Sequence, residues 1–420
     1  MSAAGSVDEG VSFGALWESL LPVGRDGGTG GYRRFSWTPA DAECRRWFFQ
    51  AAAERDLRAA ADRNGNLWAW WDVPGSPGPG PAGAVVTGSH LDSVPDGGAY
   101  DGPLGVVTAF AAVDLLRERG VVPVRPLAVA AFCEEEGARF GVACLGSRLL
   151  AGAIEPDRAR ALADAGGVTF AEAMTAAGQD PAALGPDPGL VAGIAAYVEL
   201  HIEQGRALAG LDAAIGVAEG IWPHGRWRLT FTGRADHAGT TRLADRCDPM
   251  LAAAAVIFAA RGAATQLGAL ATVGKVTVEP GAVNAISSAV TAWLDARAPD
   301  ESRLRSVVDR VLAQARAAAV AQGVALDAHQ ESVTPAVAFD AALRDRLVAS
   351  LAAAGIRAPV LPTGAGHDAG VLAAKVPAGM LFVRNPTGVS HSPAEHAEPG
   401  DCATGVTALA AVLADLACRG

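Results

Sequence analysis

The apolar run PLAVAAF, ending at Phe132, leads straight into CEEEG, so three adjacent carboxylates, Glu134 to Glu136, follow a strand that has to be buried. Like charges in such a place repel one another unless cations meet them; a solvated acidic loop is the plainer alternative. The same arrangement recurs upstream. AVVTGSH ends in His90, passes through the Gly/Asp loop SVPDGGAYDG, and is followed by LGVVTAFAAVDLLRERG, which is apolar with helical period from Leu104 and closes on Gly120. Strand, helix, strand predicts a βαβ unit, and in parallel sheets ligands gather beyond the carboxyl ends of the strands. A third run, IAAYVELHI, delivers His201 and Glu203 in the same manner.

The texture changes around Gly216 to Gly220. WRLTFTG alternates as a one-face strand does, an Ala-rich helix follows near Pro249 to Ala260, then strands around Ala271 to Val278 and Ala289 to Ala296, a helix over Glu301 to Gln322 and the strand VALDAHQ. This β-α-β-β-α-β order predicts a ferredoxin-like insert. After Thr334 helix and strand alternate again, and the chain supplies GAGHDAG and GVSHSPAEH. The layer that carries the chemistry is therefore predicted to be discontinuous. The Pro/Gly-rich GSPGPGPAG, Gly75 to Gly83, marks a break before the first strand of the βαβ unit.

Charge and composition remove several classes of function. With 34 Lys plus Arg against 45 Asp plus Glu the net charge is −11, which repels nucleic acid and anionic membranes. No apolar run reaches the roughly 18 residues of a spanning helix, and Met250 to Ala260, halted by Arg261, is expected to be a buried helix. The N-terminus, MSAAGSVDEGVSF, lacks the basic-then-apolar order of a signal peptide, which predicts a cytoplasmic protein. Six cysteines without a CxxC pair (Cys44, Cys133, Cys144, Cys247, Cys402 and Cys418) are expected to be small buried residues rather than a disulfide framework or zinc ribbon. A nucleotide-binding enzyme is disfavoured because neither GxGxxG after the first strand nor GxxxxGK[ST] occurs, and the only lysines are Lys275 and Lys375.

Histidine and carboxylate motifs carry the remaining signal. In GSHLDSV the two-residue spacing lets the Asp92 carboxylate accept the second N–H of His90 while the other ring nitrogen faces a metal. Asp101, just before a helix, is either an N-cap or a carboxylate bridging two metals. His391 lies in a Gly/Ser-rich polar context like that of His90, and His201 ends a strand. His329 and His396 are expected to be structural.

GSHLDSVPDGGAYDGPLGV, EEEGARFG, ELHIEQG, DHAGTT, LDARAPD, GAGHDA and GVSHSPAE together resemble, in content and order across nearly the whole chain, a family of di-metal amidohydrolases. That family includes allantoate amidohydrolase, N-carbamoyl-L-amino-acid hydrolase and β-ureidopropionase, relatives of carboxypeptidase G and aminoacylase. The resemblance implies an α/β fold: a di-metal exopeptidase-like catalytic domain with a mixed sheet flanked by helices (1–217 and 332–420) and an inserted ferredoxin-like α+β lid and dimerisation domain (218–331). It implies that His90, Asp101 and His201 bind one divalent ion, that Asp101, Glu136 and His391 bind the other, and that Glu135 is the general base. Zinc is expected, with manganese, cobalt or nickel as alternates. Gln204 would recognise the substrate amide, and Asn284 and Arg297 would hold its carboxylate, the alternative for Arg297 being a surface ion pair. Gly364 and His367 would line the pocket wall. His237 would come from the partner subunit of a homodimer to steady an oxyanion.

The chain departs from many relatives at His224, where a glutamine is common, and at Arg242, where a proline follows HAGTT; with Trp222 these positions bear on specificity, and Thr363 stands where Ser is common. The expected reaction is hydrolysis of a linear ureido or related C–N bond in a small carboxylate-bearing substrate, allantoate or an N-carbamoyl-L-amino acid. A deacylase, deformylase or deiminase of N-acyl, N-formyl or N-formimino amino acids is the alternative on the same fold. A non-catalytic binding protein is the remote one, since no ligand or base is missing.

Overall fold

The computed structural model describes residues 9–73 and 82–418, with side chains from Ser12 onward. The predicted break at Gly75 to Gly83 lies largely outside the described residues, as does most of the N-terminal stretch read for a leader. Two compact units form: residues 1–220 with 338–420, and residues 221–337. Both boundaries fall later than expected. Strand Ile215–Ile221 pairs with Ala378–Val383 in the first unit's sheet, and strand Ala325–Thr334 stays paired to His224 as far as Thr334.

The first unit is built on a mixed sheet. Seven of its nine strands run in the order Arg58–Ala61, Leu67–Trp71, Leu127–Phe132, Ala84–His90, Ile194–Ile202, Ala378–Val383, Ile215–Ile221. The four from Leu127–Phe132 to Ala378–Val383 are mutually parallel, and their outer neighbours are antiparallel. Ala84–His90, Leu127–Phe132 and Ala378–Val383 are buried at every residue, which is why they read as continuous apolar runs and need helices on both faces. Helix Pro103–Glu118 and helix Pro399–Cys418 share one core cluster with these strands. Register places His90 beside Phe132, and His201 beside Phe382, so the carboxyl ends of neighbouring strands lie level and their polar continuations converge.

The second unit is a four-stranded antiparallel sheet in the order Ala325–Thr334, His224–Thr232, Ala289–Arg297, Leu270–Glu279, with helices Pro249–Leu267 and Glu301–Gln322 packed together. Strand Ala289–Arg297 alternates buried and half-buried residues, the mark of a sheet covered on one face. Chain order and strand order together give the expected ferredoxin-like arrangement.

Helix Pro249–Leu267 corrects an expectation. It runs past Arg261, and it is not buried all round: Ala252, Val256, Ala260 and Ala263 face the core while Met250, Leu251, Ile257 and Phe258 are exposed. This helix and Pro399–Cys418 are long and apolar enough by length and composition to cross a membrane, contrary to the expectation that no segment is, but 61% of the span-length window in the second is buried inside the fold. That is the composition of a core helix as much as of a spanning one.

Candidate metal centre

His90 and His201 present the same face to the space beyond their strands. The Nδ1 of His90 lies 3.1 Å from the Asp92 carbonyl oxygen, and that of His201 lies 2.9 Å from the Ile202 carbonyl oxygen. A carbonyl only accepts, so both rings carry their proton on Nδ1 and turn a lone pair outward at Nε2. Both Nε2 atoms are buried without a hydrogen-bond partner, as is Oε1 of Glu136. Buried acceptors left open in this way fit a divalent cation.

Asp101 joins them. Its Oδ1 is 3.2 Å from His201 Nε2 and 3.7 Å from His90 Nε2, and its Oδ2 is 3.4 Å from His391 Nε2, which is itself 3.5 Å from Glu136 Oε2. Ligand atoms within 4.8 Å of one another thus form the groups His90, Asp101, His201 and Asp101, Glu136, His391, with Asp101 in both. A third such group, Glu199, His201 and His367, shares His201 with the first. The N-cap of helix Pro103–Glu118 is Gly102, not Asp101. Gly102 has φ 85°, and a Cβ there would sit 2.4 Å from the His90 ring, so glycine is what lets the chain turn into the helix over that histidine.

The three glutamates divide their work. Glu134, at φ 55°, accepts the N–H groups of Arg139 and Phe140 with Oε1 and so fixes the loop, whereas Glu135 and Glu136 face the centre. Glu135 Oε2 is 3.6 Å from His90 Nε2. Asp92 differs from the expectation: its carboxylate accepts the N–H groups of Glu135 (3.1 Å) and Glu136 (3.0 Å), lies 3.6 Å from His90 Nδ1, and leaves the hydrogen bond to that ring to its own backbone carbonyl. Asp92 therefore orients both the histidine and the acidic loop. Glu203, delivered beside His201, accepts the N–H groups of Ala207 and Leu208 and caps the helix that starts there.

Two residues at the centre escaped the sequence reading. Buried Glu395 accepts the N–H groups of Tyr100 and Asp101, each at 2.9 Å, and Ser390 donates its hydroxyl to Asp101 Oδ2 at 3.1 Å. A Cβ at Gly98 would sit 2.3 Å from Glu395 Oε1, so the Asp101 loop is moulded on that carboxylate. Ser390 adjoins His391 in the sequence and was the more findable of the two.

Burial raises the Asp101 carboxyl, but the neighbouring imidazoles, His201 first and then His90 and His391, outweigh it and hold the group well below the usual range. Burial and then the Asp101 charge push Glu136 up to about 9; burial and Asp101 bring Glu395 to about 8; burial and Asp92 bring Glu134 to about 7. Burial alone would lower His90, yet Glu135 and Asp92 raise it well above its ordinary value. In the metal-free protein the raised carboxyls and histidines of the centre share a sign; the lowered Asp101 stays ionised throughout the range above pH 5, and the lowered His367 works against them. Raised carboxyls hold protons that the unfolded chain releases above about pH 4.5, and raised histidines give up their stabilisation as pH climbs through their folded values. The melting temperature of chelator-treated protein is therefore expected to fall by several degrees from pH 5 to pH 9, and added divalent ion to restore it with release of protons. A flat or rising profile in differential scanning calorimetry refutes this.

Gln204 donates its amide to Asp101 Oδ2 at 2.8 Å and leaves Oε1 buried without a partner. His367 is buried with its Nε2 unpartnered, its ring 4.5 Å from that of His201; burial and the His201 charge keep it neutral. Gly364 is half-buried on the loop leading to it. The remaining candidates belong to the second unit and fall into two pairs. His224 stands opposite Arg297 in register, and Arg297 is ion-paired to Asp295 at 2.9 Å. His237 stands opposite Ala285, next to the exposed Asn284, whose carbonyl accepts from Ala238. Arg242 is exposed and paired with Asp245, and His396 lies 3.2 Å from Glu398.

Residues 86–415 match the model for peptidase family M20/M25/M40. The chain belongs to that family. It is 39% identical over 94% of its length, and 96% of the relative's, to the N-carbamoyl-L-amino acid amidohydrolase of Geobacillus stearothermophilus. Identity to the allantoate amidohydrolase of Escherichia coli K12 is 33%, covering 92% of this chain and 93% of that one. The solved structure of an amidase of the hydantoinase/carbamoylase family from Burkholderia vietnamiensis superposes with TM-score 0.87 at 29% identity, over 98% of this chain and 99% of the other. This M20 member is accordingly an enzyme, a hydrolase acting on C–N bonds, and the expected mixed α/β fold is the family's.

Proposed function

We propose that this M20 hydrolase cleaves the linear ureido or amide C–N bond of a small substrate bearing a carboxylate, allantoate or an N-carbamoyl-L-amino acid. The observation that carries the reading is Asp101, whose two oxygens face two separate His/carboxylate groups beside the Oε2 of Glu135. His90, Asp101 and His201 would hold one divalent ion, and Asp101, Glu136 and His391 the other, zinc first and manganese, cobalt or nickel as alternates. When bound, such ions lower the pKa of water and polarise a carbonyl.

Glu135 takes the proton from the attacking water at Oε2 and hands it to the leaving nitrogen, so one carboxylate serves as base and then as acid. Gln204, anchored by its amide N–H₂ to Asp101, keeps Oε1 free to accept from a substrate N–H. Arg297, held by Asp295, offers the planar fork that a carboxylate fits, and Asn284 adds an amide. His237 accepts the Gly239 N–H at Nδ1, which leaves its proton on Nε2 to donate to a developing oxyanion. Its role is assigned to a homodimer in which each subunit lends His237 to the other; the exposed apolar residues of helix Pro249–Leu267 suit such an interface. All six cysteines are free, which fits a reducing cytoplasm.

The test is product analysis with metal-loaded protein and a panel of allantoate, N-carbamoyl-L-amino acids, N-formyl-glutamate and N-formimino-glutamate. Ammonia and carbon dioxide from a ureido substrate support the reading and name the substrate. Silence there, with formate, formamide or ammonia alone from the one-carbon compounds, overturns it in favour of a deformylase or deiminase, and places the cause with His224 beside Arg297.

A further inference from the structure

Cys144 lies outside every role assigned above, yet it touches the general base. Its Sγ is 3.2 Å from Glu135 Oε1, and the residue is 3% exposed. Its backbone N–H also donates to the Glu135 carbonyl, at 2.6 Å. The Cys144 backbone is left-handed, with φ 55° and ψ 36°, an uncommon conformation for a residue with a side chain. Ser147 Oγ and the Arg148 N–H both donate to its carbonyl. Position 144 is therefore held from both sides, and the thiol direction is set by backbone contacts rather than by loose packing.

We propose that Cys144 is a positioning residue for Glu135: its S–H donates to Oε1 and so reserves Oε2 for proton transfer. The proposal rests on the reading of Glu135 as the base. Glu135 then has four fixed points. Its N–H is bound to Asp92, its carbonyl to Cys144, Oε1 to the thiol, and Oε2 faces the centre 3.6 Å from His90 Nε2. A thiol suits this task because it is a weak donor, so it orients the carboxylate without removing much of its basicity. Burial and the facing carboxylates Glu135 and Asp368 keep the thiol protonated, so it has a proton to donate.

The test is a cycle of Cys144→Ala, Glu135→Gln and the double variant, with Cys144→Ser as the conservative replacement and metal content and melting temperature measured on each. Cys144→Ala is expected to lower kcat about tenfold with KM unchanged, Cys144→Ser to restore most of it, and Cys144→Ala to add nothing in the Glu135→Gln background. Equal losses in both backgrounds, or no loss in the first, overturn the proposal. Independently of turnover, the infrared S–H stretching band of Cys144, isolated as the difference between the parent protein and Cys144→Ser, is expected to shift toward that of a weaker hydrogen bond in Glu135→Gln; an unmoved band overturns it. Full turnover in Glu135→Gln alone removes the base reading instead, and the S–H band still reports whether the hydrogen bond exists.

Discussion

Glu135→Gln lowers turnover by about 10²- to 10⁴-fold while metal content, oligomeric state and melting temperature stay near those of the parent. The size follows from what the substitution removes. Glutamine keeps the shape and can still accept from Cys144 and lie beside His90, but it cannot take a proton at Oε2. Steady-state kinetics with the substrate found in the panel, together with metal analysis, reads both halves of the expectation. Turnover within a few-fold of the parent, in protein shown to carry its full metal, moves the base elsewhere, and the unpartnered Nε2 of His367 is then the next group to change.

Asp101→Asn has the second large effect, and it differs in kind. Because Asp101 belongs to both ligand groups, one substitution weakens both sites together, whereas His90→Ala or His391→Ala touches one. Metal affinity is expected to fall by at least about 100-fold, in line with losing a charged ligand, and activity by more than about 1,000-fold, without recovery at raised metal concentration. Isothermal titration should show two sites weakened at once. One intact site in the variant separates the groups and removes the bridge. The neutral amide also ceases to stabilise protonated His201 and His90, so both imidazoles should titrate lower in metal-free Asp101→Asn than in the metal-free parent, a change that NMR of the ring protons detects.

What the sequence disclosed and what it hid follow one physical line. Side chains carried at the ends of buried parallel strands were legible, since an apolar run that stops at His90, at Glu134 to Glu136 or at His201 has to deliver those side chains to one edge of the sheet. The ferredoxin-like insert was legible from element order alone. Partners that act through the backbone were not. Glu395 meets the Asp101 N–H across 294 positions of chain, and no local pattern marks a carboxylate that binds main-chain donors. Asp92 was placed correctly beside His90, but its carboxylate went to two amides of the acidic loop, because a tight loop leaves N–H groups that must be satisfied. The exposed face of helix Pro249–Leu267 was missed because alanine-rich composition looks apolar on every side.

Strand order carries a consequence for biosynthesis. Ala378–Val383 lies between Ile194–Ile202 and Ile215–Ile221, so two strands complete by residue 221 await a neighbour that begins only at residue 378. Until then each offers an unpaired edge to other chains. His391 follows that late strand, and so the last donor of the second group arrives only when the sheet closes. Domains generally fold as units, and pairings this distant in sequence are slow. A nascent chain halted before residue 378 can complete the inserted unit but not the sheet of the first unit, so the group of Asp101, Glu136 and His391 cannot assemble until that strand and the loop after it have been made.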